Sequence, residues 1–301
     1  MKITNNYNLP SAFVNLSNDN YEPREKHYGV TTILKPTREI LLERRHDAEM
    51  EEDVADRVWL VFGTAIHKVL EEADKTGMAE IGFEQPIIND YILSGKIDLY
   101  NEAEHIVEDY KSATTTKIIR GDFEDWRKQG LEYAWLLFKV GKVVTKLRFH
   151  ALLKDWTPRD LKTAKEKNTF YPEHSIWTWE HDIKPEEMIE IETFIKDKFT
   201  DLMNNEKVSD DNLPLCLAED RWKVEDKFAV MKIGGKKASA VCDSMEEAQA
   251  YIKDTSGYEI QVREGEDKKC INYCPCCQFC SYWKQKYGIK VVNTTSNEVK
   301  E

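Results

Sequence analysis

Helical spacing of apolar residues predicts four helices in the first two thirds of the chain. The segment REILLERRH forms the first, and Thr37 in front of it is a candidate N-cap. The next two helices are expected at about Asp56–Lys75 and Phe123–Val140. A fourth is expected over residues 183–205, with Pro185 in its first turn. The Asp56–Lys75 helix has the clearest pattern, with apolar residues at Val58, Val61, Phe62, Ala65, Ile66, Val69 and Leu70.

Shorter segments with strand character lie between these helices. Three of them, FEQPII, YILSGKIDLY and HIVEDYKSA, precede the helix at Phe123, and VTKLRFHALL follows it. The predicted order is therefore helix, three strands, helix and strand. An α/β fold with a mixed central sheet flanked by helices accommodates that order.

Beyond Cys216 the pattern changes to that of a small inserted ββαβ module. FAVMKIGGKKASAVC predicts a hairpin with a Gly-Gly turn, SMEEAQAYIKD a helix, and GYEIQVRE a strand. The expected organisation is an N-terminal arm and helix (1–55), a core (56–215), the module with a cysteine cluster (216–289) and a frayed tail (290–301). The first 30 residues are polar and aperiodic, so an extended or loosely packed arm is expected there.

Composition narrows the class of protein. The formal net charge is −12, which argues against a general nucleic-acid coat protein, because phosphate contacts demand basic residues. A nuclease with an acidic active site needs only a local basic track, for which the candidates are Lys111, Lys117, Arg120, Arg127 and Lys128. The sequence contains neither a run of 18 apolar residues nor a secretory signal pattern, so a cytoplasmic location and no membrane partner are expected.

The residues that carry candidate chemistry are Asp98, Asp109 and Lys111. Asp98 ends one predicted strand and Asp109 lies on the next, so the two carboxylates can converge on one hard cation such as Mg²⁺ or Mn²⁺. Lys111 lies two residues after Asp109, and strand alternation places both side chains on one face. A lysine there can orient a water nucleophile or offset transition-state charge. By itself, D-x-K on a strand is more often a solvated edge.

Two helical patterns accompany this motif. His67 follows Gly63 and Thr64 on the second predicted helix, and Gln129 and Tyr133 lie four residues apart on the third. Taken alone, a surface histidine and an ordinary amphipathic helix explain both.

Together these residues resemble the RecB-like branch of the PD-(D/E)XK nuclease superfamily. The resemblance lies in GTAIH at 63–67, GKID at 95–98, DYK at 109–111 and QGLEY at 129–133, in that order within residues 56–155. It implies a restriction-endonuclease-like core. A broader likeness to nucleases encoded by tailed phages and prophages covers TTILKPTREILLERRH and the cysteine region.

The resemblance also implies residue roles. Asp98, Asp109, the Tyr110 carbonyl and His67 would hold the divalent cation. Lys111 would be the catalytic lysine, while Gln129 and Tyr133 would shape the site and contact the scissile strand.

Five of the seven cysteines fall within CINYCPCCQFC, which in a cytosolic protein predicts a metal or cluster site. RecB-like relatives with C-terminal cysteines, including AddB-type helicase-nucleases and CRISPR-associated adaptation nucleases, bind a [4Fe–4S] cluster there. The resemblance implies ligation by Cys216, Cys270, Cys274 and Cys280. The lone Cys216 follows the nuclease motifs rather than preceding them, so Cys276 or Cys277 remains an alternative ligand. Structural zinc remains the alternative cofactor.

The functional expectation is a Mg²⁺- or Mn²⁺-dependent deoxyribonuclease, an exonuclease or end-processing enzyme in phage recombination, replication or repair. Its expected partners are single-stranded DNA or a duplex with ends, together with recombination or replication proteins. The alternative is a non-catalytic DNA-binding or adaptor protein with the same fold and a zinc-stapled C-terminus.

No phosphate loop of the helicase type is present in the sequence. Four aromatic residues are candidates for base stacking, although core packing is the commoner role: Phe123, Trp126, Tyr133 and Trp135.

Overall fold

A computed structural model describes residues 1–17, 24–73, 79–253 and 256–288. The chain divides into two compact units, Met1–Ile40 with Asp47–Lys207, and Leu41–His46 with the chain from Val208 onward. The predicted tail from residue 290 lies outside the described residues.

The described strands are β1 (Lys2–Thr4), β2 (His27–Gly29), β3 (Glu51–Asp53), β4 (Ala79–Ile88), β5 (Tyr91–Asn101), β6 (Ile106–Ala113), β7 (Lys146–Leu153), β8 (Ile176–Asp182), β9 (Lys227–Lys232), β10 (Ala238–Cys242) and β11 (Tyr258–Arg263). The described helices are α1 (Ser11–Ser17), α2 (Val30–Ile33), α3 (Thr37–Arg45), α4 (Val58–Ala73), α5 (Thr115–Arg120), α6 (Glu124–Lys139), α7 (Pro158–Lys167), α8 (Pro185–Asn205), α9 (Met245–Ile252), α10 (Lys268–Asn272) and α11 (Ser281–Trp283).

A six-stranded mixed sheet is the centre of the first unit. Its order is β2-β5-β6-β7-β8, and β4 pairs with β5 outside that path. The β2–β5 and β6–β7 pairs are parallel, and the other pairs are antiparallel. The expected α/β architecture, a mixed central sheet flanked by helices, is therefore confirmed.

Strand β7 shows why this sheet forms. Its sequence KLRFHALL buries every second residue, so Leu147, Phe149, Ala151 and Leu153 face the core. Helix α6 packs very closely on that face, because a Cβ added at Gly130 would lie 2.6 Å from Cδ1 of Leu147. Because Gly130 has no side chain, the neighbouring residue Gln129 can lie close to the sheet.

Helix α8 covers more of the core by regular helical spacing. Ile191, Ile195, Phe199 and Leu202 recur at intervals of four, four and three residues and are all buried. The helix begins at Pro185, the residue that the sequence placed in its first turn.

The sequence-based expectations were wrong or incomplete at several places in the first unit, where the short elements β1, β3, α1, α2 and α5 were also not predicted. Residues 27–30 are not a loose arm, because β2 pairs with β5 and Tyr28 and Val30 are buried. Helix α7 and strand β8 were not predicted. Strand β8 alternates exposed and half-buried residues over its whole length, so the period of two in IWTWEHD was an available signal.

The second unit contains the predicted ββαβ module. Its three-stranded sheet has the order β10-β9-β11, with β9 in the middle and Ala229, Val230 and Met231 buried. The turn between β9 and β10 contains Gly234 at φ +76°, a left-handed conformation that glycine adopts without strain.

Candidate functional site

The site begins where strands β5 and β6 separate. Their register runs from Asn101↔Ile106 to Leu99↔Glu108, and one further step would set Asp98 opposite Asp109. There the Tyr110 N–H donates to Oδ2 of Asp98 at 2.8 Å. The Asp98 carboxylate therefore replaces the backbone carbonyl of β5 that would otherwise accept from Tyr110. The carboxylates of Asp98 and Asp109 converge where the two strands separate.

Asp109 is buried, with 2% of its surface exposed. Its Oδ1 accepts a long hydrogen bond of 3.4 Å from Nε2 of Gln129. Among the described residues, Oδ2 has no hydrogen-bond donor in good angular geometry, yet it lies 2.6 Å from Nζ of Lys111. The contact with Lys111 is therefore an ion pair that leaves this oxygen able to accept another ligand.

Gln129 connects the strand residues to helix α6. Its Oε1 accepts a hydrogen bond from Nζ of Lys111 at 2.8 Å, and its Nε2 donates to the Tyr133 hydroxyl at 3.0 Å. Tyr133 is buried one helical turn away. The tyrosine thus fixes the amide, and the amide orients the lysine. Contact between Tyr133 and a scissile strand stays a prediction.

His67 approaches the same carboxylates from helix α4. Its Nδ1 lies 3.2 Å from Oδ2 of Asp98, and its side chain is one third exposed. The hydrogen bond to Asp98 raises the pKa of His67, an effect that burial opposes. The histidine therefore faces both the site and solvent.

Burial dominates the electrostatics of Asp109. It raises the pKa of Asp109 to about 6, against the lowering influence of Lys111 and with a further increase from the charge of Asp98. Burial likewise raises the pKa of Tyr133, so its hydroxyl stays protonated and can donate or accept a hydrogen bond. The carboxylates of Asp98 and Asp109 repel each other, and a cation bound between them would relieve that repulsion.

The structure brings all the predicted nuclease-site residues of the first unit together: His67, Asp98, Asp109, Tyr110, Lys111, Gln129 and Tyr133. Two residues that support them were not predicted from the sequence. Gly130 allows the close approach of α6, and Phe149 lies under Lys111, with Nζ 5.5 Å from the ring centroid. The glycine within RKQGLEY and the alternation in KLRFHALL were the available signals.

The structure places the aromatic candidates for base stacking in or against the core. Trp126, Tyr133 and Trp135 are buried, and Phe123 packs against Trp126 and Trp179. The proposed basic track is also largely paired with acids, since Lys117 contacts Asp125 and Arg127 contacts Glu124 and Glu187.

The cysteine cluster lies in the second unit. Burial raises the pKa of Cys270 to about 12, and the charges of Cys274, Cys216 and Cys280 add to the effect. The other three cysteines named by the resemblance therefore lie within electrostatic range of Cys270. Cys276 is also close, with its Sγ 3.6 Å from that of Cys274, so the choice of ligands stays open.

A buried carboxylate braces the start of this cysteine segment. Asp267 is fully buried and accepts hydrogen bonds from Arg221, Tyr282, Lys286 and Tyr287. Burial alone would raise its pKa, but the donors, led by Lys286, hold the pKa of Asp267 far below its usual range. Asp267 is therefore a charged anchor beside Cys270.

In the ranges 1–17, 24–73, 79–253 and 256–288, no group of three or more His, Cys, Asp or Glu side chains is already arranged as a metal site. Bound metal and an iron–sulfur cluster therefore stay predictions. In the same part of the chain, no helix is both long enough and apolar enough to cross a membrane.

No protein-family model matches the chain, and no curated protein matches it. Among solved structures, SSO0001 is 16% identical with a TM-score of 0.42, and the match covers 60% of this chain and 79% of that one. A phage related exonuclease from Haemophilus somnus 129PT is 10% identical with a TM-score of 0.26, covering 65% of this chain and 79% of that one. Likenesses this weak carry no weight for function, which must be argued from the site.

The buried charge of Asp109 should make the metal-free protein less stable above neutral pH. Folding raises the pKa of Asp109 from about 4 to about 6. The resulting loss in the free energy of unfolding is therefore absent below about pH 4 and grows as the pH rises to about 6. In chelating buffer, Asp109→Asn should raise the free energy of unfolding by about 1–3 kcal/mol at about pH 8 and by little at about pH 4. Urea unfolding at both pH values measures this difference.

The matched control is Asp182→Asn, whose side chain is 85% exposed and which should change stability little. Loss of stability in Asp109→Asn at the higher pH would contradict the electrostatic account of the site.

Proposed function

We propose that the chain is a metal-dependent DNA nuclease of the RecB-like PD-(D/E)XK type. The observation that carries the proposal is the convergence of Asp98, Asp109 and Lys111 at the separation of β5 and β6. His67 and Gln129 reach the same point from two different helices. Four short motifs that are individually weak in sequence therefore meet in one polar site.

The residues present fit a hard divalent cation. Two converging carboxylates supply the oxygen donors that Mg²⁺ and Mn²⁺ prefer, and the buried Oδ2 of Asp109 retains acceptor capacity. Asp98, Asp109 and the Tyr110 carbonyl would hold the ion, with His67 completing or supporting the shell. When bound, the cation would supply Lewis-acid polarisation of the scissile phosphate.

The protein side chains have distinct tasks in this proposal. Lys111 places its ammonium where charge develops on the phosphate during attack by water. Gln129 holds that ammonium at 2.8 Å, and Tyr133 holds Gln129. His67 fixes the carboxylate of Asp98. Gln129 and Tyr133 therefore act as positioning residues.

The substrate class that follows is DNA, either single-stranded or with duplex ends. An exonuclease or end-processing role in phage recombination, replication or repair is consistent with the sequence resemblance. The competing possibility is a DNA-binding or adaptor protein that retains the fold without cleavage. The intact set of Asp98, Asp109 and Lys111 favours the enzyme.

Replacement of Lys111 or Asp109 should abolish cleavage. Lys111→Ala and Asp109→Ala are each expected to reduce the rate by at least about 100-fold, the order seen when one transition-state stabilising group is removed. The assay uses end-labelled single-stranded and double-stranded linear DNA, with circular DNA alongside, in Mg²⁺ or Mn²⁺.

The control is Lys142→Ala, which removes an exposed lysine paired with Glu102 and should cut like the wild type. Full activity in both Lys111→Ala and Asp109→Ala would refute the assignment of the active site. Folded wild-type protein that binds DNA and never cuts it would favour the adaptor function.

The cysteine cluster is proposed to hold a [4Fe–4S] cluster, with structural zinc as the alternative. Cys216, Cys274 and Cys280 all lie within electrostatic range of Cys270, which supports four-thiolate ligation of either group. Cysteines bind either group as thiolates, so binding would release their protons. The group would serve as a structural staple of the second unit, and catalysis would proceed at the other site.

Anaerobic purification followed by metal analysis and visible absorption spectroscopy tests the cysteine proposal. Brown protein containing iron and sulfide is expected, and Cys270→Ser should lose most of the colour and some thermal stability. Cys242→Ser serves as the control, because Cys242 lies on strand β10 outside the cluster. Colourless protein with stoichiometric zinc would establish the alternative, and protein with neither metal would refute both.

A further inference from the structure

A cavity of about 330 Å³ lies between helix α7 and the segment that leads into strand β8. We call it the α7 pocket. Its size is at the lower end for small-molecule sites. Its main lining residues are Leu161, Lys165, Phe170, Tyr171, Ile176 and Trp177.

Aromatic rings form much of this wall. Phe170 is 57% exposed, and its ring lies 5.8 Å from that of Trp177 in an edge-to-face arrangement. Ile176 beside them is also exposed. An exposed Phe170 ring against the half-buried Trp177, beside a small cavity, is suited to a flat aromatic ligand.

Hydrogen bonds fix the pocket in its present shape. The Trp156 indole donates to the Pro172 carbonyl at 2.9 Å, and the Thr157 N–H donates to the Tyr171 hydroxyl at 3.3 Å. The Leu153 N–H also donates to the Ser175 carbonyl. The loop is thus anchored at several points, so little ordering would accompany binding.

The surroundings favour an anionic ligand backbone. Helix α7 has a net charge of +2 in a chain whose net charge is −12, because Arg159, Lys162, Lys165 and Lys167 outnumber Asp160 and Glu166. Lys165 is paired with Glu173 at 3.4 Å, but both side chains are well exposed, so the pair is weak. A phosphate can compete for this lysine.

The pocket and the proposed active site share one face of the sheet. Lys111 lies opposite Ala151 in the β6–β7 register, and Ala151 lies opposite Trp177 in the β7–β8 register. The three residues form one row, with the Cα atoms of Lys111 and Trp177 roughly 10 Å apart at the usual strand spacing. A DNA strand with a phosphate at Lys111 would carry bases to this distance.

Trp177 has a further feature that the fold alone does not explain. Among the described residues, its indole N–H is a buried donor without a hydrogen-bond partner. Phenylalanine would fill an apolar wall without that penalty. The large ring system of tryptophan offers more surface for stacking.

From this geometry, and building on the nuclease function proposed above, we infer that the α7 pocket binds one unpaired base of the DNA strand. The base stacks on Phe170 and Trp177, a few nucleotides from the scissile phosphate. The site therefore selects single-stranded DNA or frayed ends, because a base within a duplex cannot enter it.

Fluorescence anisotropy tests this inference by measuring how tightly the full chain binds labelled single-stranded oligonucleotides. Ca²⁺ replaces Mg²⁺ or Mn²⁺ in the assay. One base at a time is replaced by an abasic residue. Wild type should lose affinity at one position, and Phe170→Ala should weaken binding of the intact strand by roughly 5- to 20-fold. At that position the abasic change should have no additional effect in Phe170→Ala, because both changes remove the same contact.

The matched control is Phe138→Ala, since Phe138 on α6 is 60% exposed and lies outside the pocket. It should keep the wild-type abasic profile. Trp177→Phe retains a ring and should show a smaller loss than Phe170→Ala, with folding checked by thermal unfolding.

An unchanged abasic profile in Phe170→Ala overturns the inference, as does wild-type protein that fails to bind single-stranded DNA. The proposed nuclease function fails separately, if wild type binds but never cuts or if Lys111→Ala still cuts. If an apolar peptide binds the pocket and DNA does not compete with it, the pocket belongs to a protein ligand and the base site is refuted.

Discussion

Two carboxylates held side by side where two strands separate impose the constraint on which the rest of the site depends. Asp98 and Asp109 repel each other, and Asp109 is also buried, so each needs compensation from neighbouring groups. Lys111 supplies an opposite charge and His67 a hydrogen bond. The Tyr110 N–H, which a continued ladder would pair with backbone, binds Asp98. This arrangement is unfavourable for the sheet and favourable for cation binding, a trade-off common at functional sites.

The surrounding fold is built to hold these groups still. Helix α6 approaches β7 closely at Gly130, and a Cβ at Gly95 of β5 would lie 2.8 Å from Leu136 on the same helix. The two glycines allow helix α6 to lie close enough to the sheet for Gln129 and Tyr133 to reach the site. Rigid presentation matters because small displacements of orienting groups reduce catalysis strongly.

Much of this arrangement was predictable from sequence because its determinants are local. Strand alternation placed Asp109 and Lys111 on one face, and helical spacing placed Gln129 above Tyr133. The membership of β2 in the sheet was not predictable, since its three residues acquire their role only by pairing with β5. The α7 pocket was equally hidden, because Phe170 and Trp177 meet only in the folded chain. The aromatic residues expected to stack on bases therefore lie in or against the core instead.

The most direct test of the central claim is a calorimetric titration of Mn²⁺ into the purified protein, with Asp98→Asn and Asp109→Asn beside the wild type. Mn²⁺ suits oxygen ligands and competes poorly for the thiols of the second unit. The account predicts one site in the wild type that each substitution weakens at least about tenfold, as loss of a carboxylate ligand should. The exposed Asp182→Asn variant should bind like the wild type. Equal Mn²⁺ affinity in all four proteins, or no binding in the wild type, would contradict the claim that the paired carboxylates form a metal site.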